Sequence, residues 1–136
     1  MKEFNIEQFE PKNENRFVVN FPVTFNIKPW AIQKINLPKI TSANGWENIK
    51  IEFLDTIQVS TAKSLFSLTK SYFSNEDNRS LFEFTIELID PVGSLVETWV
   101  IYVSEILEIN FGDLTYRNDD VITPVLIIKP SKCILY

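Results

Sequence analysis

Few side chains in this sequence could do chemistry, and the residue counts decide most of that question. The 136 residues include no histidine and a single cysteine, Cys133. A Ser-His-Asp or Cys-His catalytic device therefore cannot form within one chain. Neither can a zinc site with the usual His and Cys ligands, nor an intrachain disulfide. Because Cys133 lies in an apolar C-terminal segment, we interpret it as a small buried hydrophobe rather than a nucleophile.

One group of acids could bind a cation: Asp113, Asp119 and Asp120. Calcium needs several oxygen ligands at fixed positions of a loop, and the Asp-x-Asp-x-Asp-Gly pattern is absent. We interpret these acids as a solvated or turn-capping loop and expect no metal and no cofactor. No Gly-rich phosphate loop is present, and no pair of carboxylates is placed together by its spacing. The sequence therefore predicts a protein that is not an enzyme.

The charge balance argues against two further classes of partner. Asp and Glu outnumber Lys and Arg by 18 to 13, which gives a net charge of −5. The basic residues are scattered, whereas tight nucleic-acid binding calls for a basic surface. No run of about 18 apolar residues exists, so we expect no membrane span. The N-terminal residues are too polar and acidic for a signal peptide.

The elements that position these residues are mostly strands. Residues 1–15 read as a polar arm, and residues 16–136 as a single β domain. Apolar residues alternate along residues 16–27, which is typical of a half-buried strand, and its inward face is Phe17, Val19, Phe21, Val23, Phe25 and Ile27. Pro22 lies inside this pattern and predicts an edge, a bulge or a break. Residues 30–37 and 49–53 predict further strands, with a turn at Asn44 and Gly45 between them.

The second half of the chain alternates strands with one helix. Residues 60–73 have apolar positions three and four apart, which predicts the only substantial helix, capped by Ser60 or Thr61 and packed on the sheet. Residues 81–89 alternate, and residues 90–93 have the composition of a β-turn, so we expect a hairpin with the strand around Trp99. A third strand should end at residues 111–114. Residues 121–128 are apolar on both faces and predict a strand covered on both sides, which Pro130 should break.

These predictions add up to a mainly β protein. We expect a β-sandwich or barrel of about seven or eight strands with one flanking α-helix. Aromatic residues are abundant, with 11 Phe, 3 Trp and 4 Tyr. Such rings are typical of an aromatic-rich β core, of a subunit interface, or of both.

The second half also carries a resemblance to a known family. In order, the residues that carry it are Ile89, Asp90, Pro91, Gly93, Val96, Glu97, Trp99, Ile109, Phe111, Gly112, Asp113, Leu114, Tyr116, Asp119 and Asp120. This run resembles the tail tube proteins of contractile-tailed bacteriophages and the inner-tube proteins of phage-like injection devices. The resemblance covers residues 16–128 and is more specific in its C-terminal half.

The resemblance implies a structural virion protein of the tail. Members of the family form hexameric rings that stack into a hollow tube, inside a sheath and above a baseplate, and DNA passes through the lumen without specific binding. It implies assembly in the host cytoplasm. On this basis we expect interface residues in two segments. The first contains Asp90, Pro91 and Gly93, in a hairpin that would contribute to ring contacts together with the final strands. The second contains Phe111, Gly112, Asp113, Leu114, Tyr116, Asp119 and Asp120 and would contribute to contacts between rings.

Two departures from the family pattern leave alternatives open. Pro130 interrupts what should be a continuous closing strand, and the N-terminal arm is longer and more polar than a minimal tube subunit needs. Both features suit a specialised member of the same fold, such as a baseplate tube initiator or a tail terminator. An alternative from another class is a monomeric β-barrel that binds a ligand in an apolar pocket.

Overall fold

The fold is mainly β, as the sequence predicts. The computed structural model describes residues 10–72, 82–117 and 120–136. In that part of the chain there are eight strands, one α-helix and two 3₁₀ helices. They are β1 (Phe17–Asn20), a 3₁₀ helix (Val23–Phe25), a second 3₁₀ helix (Pro29–Ala31), β2 (Ile32–Ile35), β3 (Ile40–Thr41), β4 (Gly45–Trp46), β5 (Ile49–Phe53), α1 (Thr61–Tyr72), β6 (Phe82–Ile89), β7 (Leu95–Asn110) and β8 (Val125–Leu135).

Six of the strands form one antiparallel sheet in the order β1-β6-β7-β8-β5-β2. The sheet curls until it is nearly a closed barrel. β3 and β4 form a separate hairpin, which contacts the sheet through a T-shaped contact between Trp46 and Trp99. The centre of the sheet is β8, which pairs with β7 on one side and with β5 on the other. The last strand in the sequence therefore joins the two halves of the sheet.

The core lies inside the curled sheet because one face of each strand is apolar. Strand residues alternate between faces, and the buried side chains of neighbouring strands lie opposite one another, as Ile49 does to Ile128 and Ile86 to Val19. The core is made up of Val19, Phe21, Ile27, Ile32, Ile49, Ile51, Phe53, Leu65, Leu68, Phe84, Ile86, Ile101, Val103, Ile106, Leu126, Ile128 and Cys133. The opposite face of the sheet carries the polar and charged residues.

The first predicted strand is shorter than its pattern indicates. β1 ends at Asn20, before Pro22, and the chain then turns through the 3₁₀ helix Val23–Phe25. Phe21 and Ile27 are buried, but Val23 is 95% exposed, so the prediction that Val23 faces the core is wrong. The break follows from Pro22, since proline has no N–H to donate to the ladder. The strand predicted over residues 30–37 is also shorter than expected. Pro29–Ala31 forms a 3₁₀ helix, and β2 spans only Ile32–Ile35.

Two predictions about the C-terminal strands are also corrected. The strands expected around Trp99 and before residue 111 are one strand, β7, which is 16 residues long. β8 runs without a break from Val125 to Leu135, so Pro130 does not end it. The reason is a β-bulge: Val103 pairs with Pro130 and Tyr102 with Lys132, which leaves Ser131 unpaired between them. A bulge is one of the few interior positions where a strand accommodates proline.

The helix α1 matches its predicted position, although its buried side differs in detail. The Ser60 hydroxyl accepts a hydrogen bond from the Lys63 N–H, as expected of an N-cap. The side chains that α1 buries include Leu65 and Leu68, whereas Phe66 is more than half exposed. Phe73, also expected on the apolar side, lies outside the described residues.

The prediction that the strand in residues 121–128 is covered on both sides is wrong. Val125 and Ile127 are only half-buried on the outer face of the sheet.

Candidate assembly interface

The first predicted interface segment forms the turn between β6 and β7. The carboxylate of Asp90 accepts hydrogen bonds from the N–H groups of Val92 (3.0 Å) and Ser94 (2.8 Å). Gly93 donates its N–H to the Asp90 carbonyl at 3.0 Å and has a φ of 86°, a conformation that favours glycine. Val92 in the turn is 86% exposed, and Leu95 and Val96 are exposed just after it. It therefore presents aliphatic side chains at one end of the sheet.

The described part of the N-terminal arm lies against this turn. Lys12 forms an ion pair with Glu97, and Arg16 with Glu10 at 3.1 Å. A shallow groove there is lined by residues 10–13 of the arm, by Asp90 and Pro91 of the turn, and by Val96. The described part of the arm therefore lies beside a predicted interface segment.

The second predicted segment follows β7 and is strongly exposed. Leu114 is 86% exposed, Tyr116 is completely exposed, and Asp113 and Asp120 are also in solvent. Gly112 has a φ of 106°, and a Cβ placed there would lie 2.6 Å from Cγ2 of Ile122, so only glycine fits. The prediction for Asp119 falls outside the described residues. The segment touches the helix through Phe111, whose ring centroid lies 6.3 Å from that of Phe66.

The two segments lie at opposite ends of β7. Residues 90–93 precede this strand and residues 111–120 follow it, so about 50 Å of strand path separates them at roughly 3.3 Å per residue. The structure does not bring them together into one site. Two separate surfaces suit contacts with two different neighbours better than they suit a pocket.

The edges of the sheet form a third surface. β1 and β2 are the outer strands of the order, and each pairs with one neighbour among the described residues. Between them lies an apolar groove of about 260 Å³. Its walls include Phe17 of β1, Ile35 of β2 and Leu88 of β6. A sheet that closed fully on itself would have no such seam.

The described residues offer little for catalysis. No group of three or more Asp, Glu, Cys or His side chains comes together among them in a way that could hold a metal ion. Burial raises the pKa of the Cys133 thiol to about 11, which makes its thiolate scarce at neutral pH. None of the helices described is long and apolar enough to cross a membrane.

A set of polar residues on the outer face of the sheet was not predictable as a group from the sequence. Tyr102 of β7 lies between Glu83 of β6 and Lys132 of β8. The Lys132 ammonium is 4.7 Å from the centroid of the Tyr102 ring. Partial burial and the neighbouring Glu83 both raise the pKa of the Tyr102 hydroxyl. Alternation along each strand indicates that these residues point outward, but only the register shows that they are neighbours.

The chain has the same fold as components of several solved contractile assemblies. Over 96% of its length it matches 95% of a chain in the sheath-tube complex of an extracellular contractile injection system in its extended state, with a TM-score of 0.69 and 13% identity. The fold is that of contractile injection system tubes. A chain in the sheath/tube terminator of such a system matches with a TM-score of 0.68 and 14% identity, over 93% of this chain and 97% of the other.

The tube-like fold also occurs in a baseplate. A chain in the six-fold symmetrised baseplate of the anti-feeding prophage matches with a TM-score of 0.61 and 15% identity, over 93% of this chain and 96% of that one. No protein-family model and no curated protein matches the sequence. The structures that share the tube-like fold belong to structural assemblies rather than to enzymes.

Proposed function

We propose that this protein is a structural subunit of a contractile, phage-like tail, and that it polymerises into the inner tube. Six copies would form a ring, and the rings would stack into a hollow cylinder inside a sheath. The single observation that carries this proposal is the match of nearly the whole chain to nearly the whole length of a chain from a sheath-tube complex.

The exposed surfaces of the subunit support assembly. Unpaired strand edges are normally covered or blunted, because they pair readily with other chains. Here β1 and β2 flank an apolar seam, and the β6–β7 turn and the segment after β7 expose aliphatic and aromatic side chains at opposite ends of one strand. A ring of identical subunits needs head-to-tail contacts between different patches. Stacking needs a further pair of patches. The segment after β7, expected at contacts between rings, could provide one of them, and the β6–β7 turn at the other end of the strand could provide the second in place of the ring contacts expected from the sequence.

The overall charge suits a conduit for a nucleic acid. A net charge of −5 disfavours retention of phosphates, since each phosphate contact adds affinity that would slow passage. DNA would then pass through the lumen without specific binding. The particle would be found as a free tail or virion after assembly in the host cytoplasm.

The proposal is tested by electron microscopy of the purified protein. We expect six-fold rings or tubes at high protein concentration, with a length distribution that grows with time. A protein that remains monomeric over a wide range of concentration, salt and pH would contradict the proposal. The same sample tests the monomeric ligand-binding alternative, which predicts that size and shape do not change with concentration.

A second candidate, a tube initiator or terminator, is favoured by the matches to a baseplate and to a terminator complex. Such a protein would form one ring per particle instead of many. Quantitative mass spectrometry of purified particles separates the two functions. About six copies per particle would indicate an initiator or terminator, whereas a copy number that scales with particle length would indicate the tube itself.

A further inference from the structure

The charges on the outer face of the six-stranded sheet are segregated by strand. β6 and β7 contain five glutamates and no lysine or arginine, and β8 contains two lysines and no acid. We define the acidic flank as Glu83, Glu87, Glu105 and Glu108. We define the lysine flank as Lys34, Lys50, Lys129 and Lys132, on β2, β5 and β8. The exception is the half-buried Glu52 of β5, which lies opposite Lys34 in the register.

The charges of the two flanks are not neutralised by ion pairs within the described part of the subunit, although Glu87 accepts a hydrogen bond from Asn20 and both Glu83 and Lys132 contact Tyr102. In the described part of the chain, no residue of either flank forms an ion pair with an opposite charge. Even Glu105 and Lys129, which are directly opposite in the β7–β8 register, do not form one. By contrast, Glu97 of β7 is ion-paired to Lys12. Unpaired charges arranged by sign are typical of surfaces that meet a complementary surface.

Strand order separates the outer members of the two flanks. β6, with Glu83 and Glu87, and β5, with Lys50, are three positions apart in a sheet of six strands, so they fall on opposite sides when that sheet curls into a near-barrel. The two flanks meet between β7 and β8, where Glu105 lies opposite Lys129. Between the charges lie half-buried aliphatic residues on the outward face, among them Val100 and Ile127. Each flank therefore combines apolar area with charges of one sign.

We propose that the acidic flank of one copy binds the lysine flank of the next copy, and that this contact closes the ring. This pairing rests on the proposed function, and it specifies which two surfaces of neighbouring copies meet within a ring. The interface is head-to-tail, as ring closure requires. Contacts between stacked rings do not use it, because they would fall at the ends of β7.

Charge reversal tests the pairing directly. One variant carries E83K, E105K and E108K, and the other carries K50E, K129E and K132E; all six side chains are exposed. In each variant both flanks have the same sign, so we expect ring formation to fall by at least about tenfold. An equal mixture of the two variants should form rings in which they alternate. A chain that carries all six changes should again form rings alone.

The control variant has the net charge of the lysine-flank variant but carries its three substitutions outside the two flanks. K28E, K39E and K63E give the same net charge as the lysine-flank variant, but they change exposed lysines elsewhere. This control should form rings alone and should not co-assemble preferentially with the acidic-flank variant. Circular dichroism and thermal unfolding verify that each variant folds.

The outcomes separate this inference from the proposed function. Wild-type rings together with normal rings from both single-flank variants would overturn the flank pairing and leave the tube proposal intact. No rings from the wild type and no binding between the two variants would overturn both. If a variant does not fold, the wild type provides the test: going from about 0.1 M to about 1 M NaCl shortens the Debye length from about 10 Å to about 3 Å and should dissolve the rings. Rings that are indifferent to salt would contradict flank pairing.

Discussion

At the residue scale, five of the eleven phenylalanines form one cluster of rings. The Phe21 ring stacks on Phe84 with 5.0 Å between centroids and lies 6.2 Å from Phe53. Phe82 extends the cluster, at 6.2 Å from Phe84 and 4.8 Å from Phe25. Aromatic pairs of this kind contribute beyond the apolar area that they bury. These rings therefore fit the expectation of an aromatic-rich core rather than that of a subunit interface.

Truncation of one of these rings should cost much of the stability. Phe53 is fully buried, so Phe53→Ala should lower the free energy of unfolding by about 3–5 kcal/mol. The matched control is Val23→Ala, because Val23 is 95% exposed and its truncation should change that free energy by less than about 0.5 kcal/mol. Urea unfolding followed by tryptophan fluorescence measures both. Similar losses in the two variants would contradict the described packing.

Cys133 gives the stability a dependence on alkaline pH. Burial raises the pKa of its thiol to about 11, from an ordinary value of 9.0. The folded state therefore favours the protonated thiol, and the contribution is fully present below pH 9 and is lost as the pH rises through about 11. We expect the free energy of unfolding of Cys133→Ala to fall less between pH 9 and 11 than that of the wild type. Urea titrations at several pH values measure both slopes, and parallel curves would contradict the assignment.

At the element scale, two prolines show why strand boundaries are hard to read from sequence. Pro22 ends β1, whereas Pro130 lies within the 11-residue β8. The difference is in the pairing with β7: Ser131 bulges out of β8 next to Pro130, and its hydroxyl donates a hydrogen bond to the Tyr102 carbonyl at 3.1 Å. Local pattern predicts the periodicity of each strand, but bulges depend on residues far away in the sequence.

The β6–β7 turn was predictable because its chemistry is local. Asp90, Pro91 and Gly93 occupy the positions that such a turn favours, and the hairpin pairs Phe84 with Ile101 as alternation requires. By contrast, the length of β7 could not be predicted, since its second half is held by β8 rather than by β6. The two predicted interface segments show the same limit. The turn and the exposed segment after β7 could be identified from the sequence, but the distance between them along β7 could not.

The turn is held by one carboxylate, which gives a specific test. Asp90→Ala removes the acceptor of two N–H groups and should lower the free energy of unfolding by about 1–2 kcal/mol. Asp90→Asn retains an acceptor oxygen and should lose less than half of that. Chemical denaturation of both variants measures the difference. Equal losses would indicate that the charge of Asp90, rather than its hydrogen bonds, stabilises the turn.

At the scale of the whole molecule, stability should be graded across the sheet. Amides in the centre of a sheet are protected by ladders on both sides, whereas an edge strand opens locally at low cost. In the isolated subunit we expect the slowest hydrogen exchange in the β8 residues Leu126 and Ile128, and faster exchange in β2. Exchange measured by mass spectrometry on dilute protein tests this order. Equal protection of β2 and β8 would show that the β2 edge is covered.

The position of β8 also bears on when the molecule becomes competent to assemble. Residues 125–135 provide the only ladder among the described residues that connects the β1-β6-β7 half to the β5-β2 half. During synthesis on the ribosome, the two halves thus remain unjoined until β8 has been translated. If the protein polymerises as proposed, a nascent polypeptide without β8 would lack the folded surfaces that other copies bind, and the order of the strands would delay polymerisation until the sheet is complete.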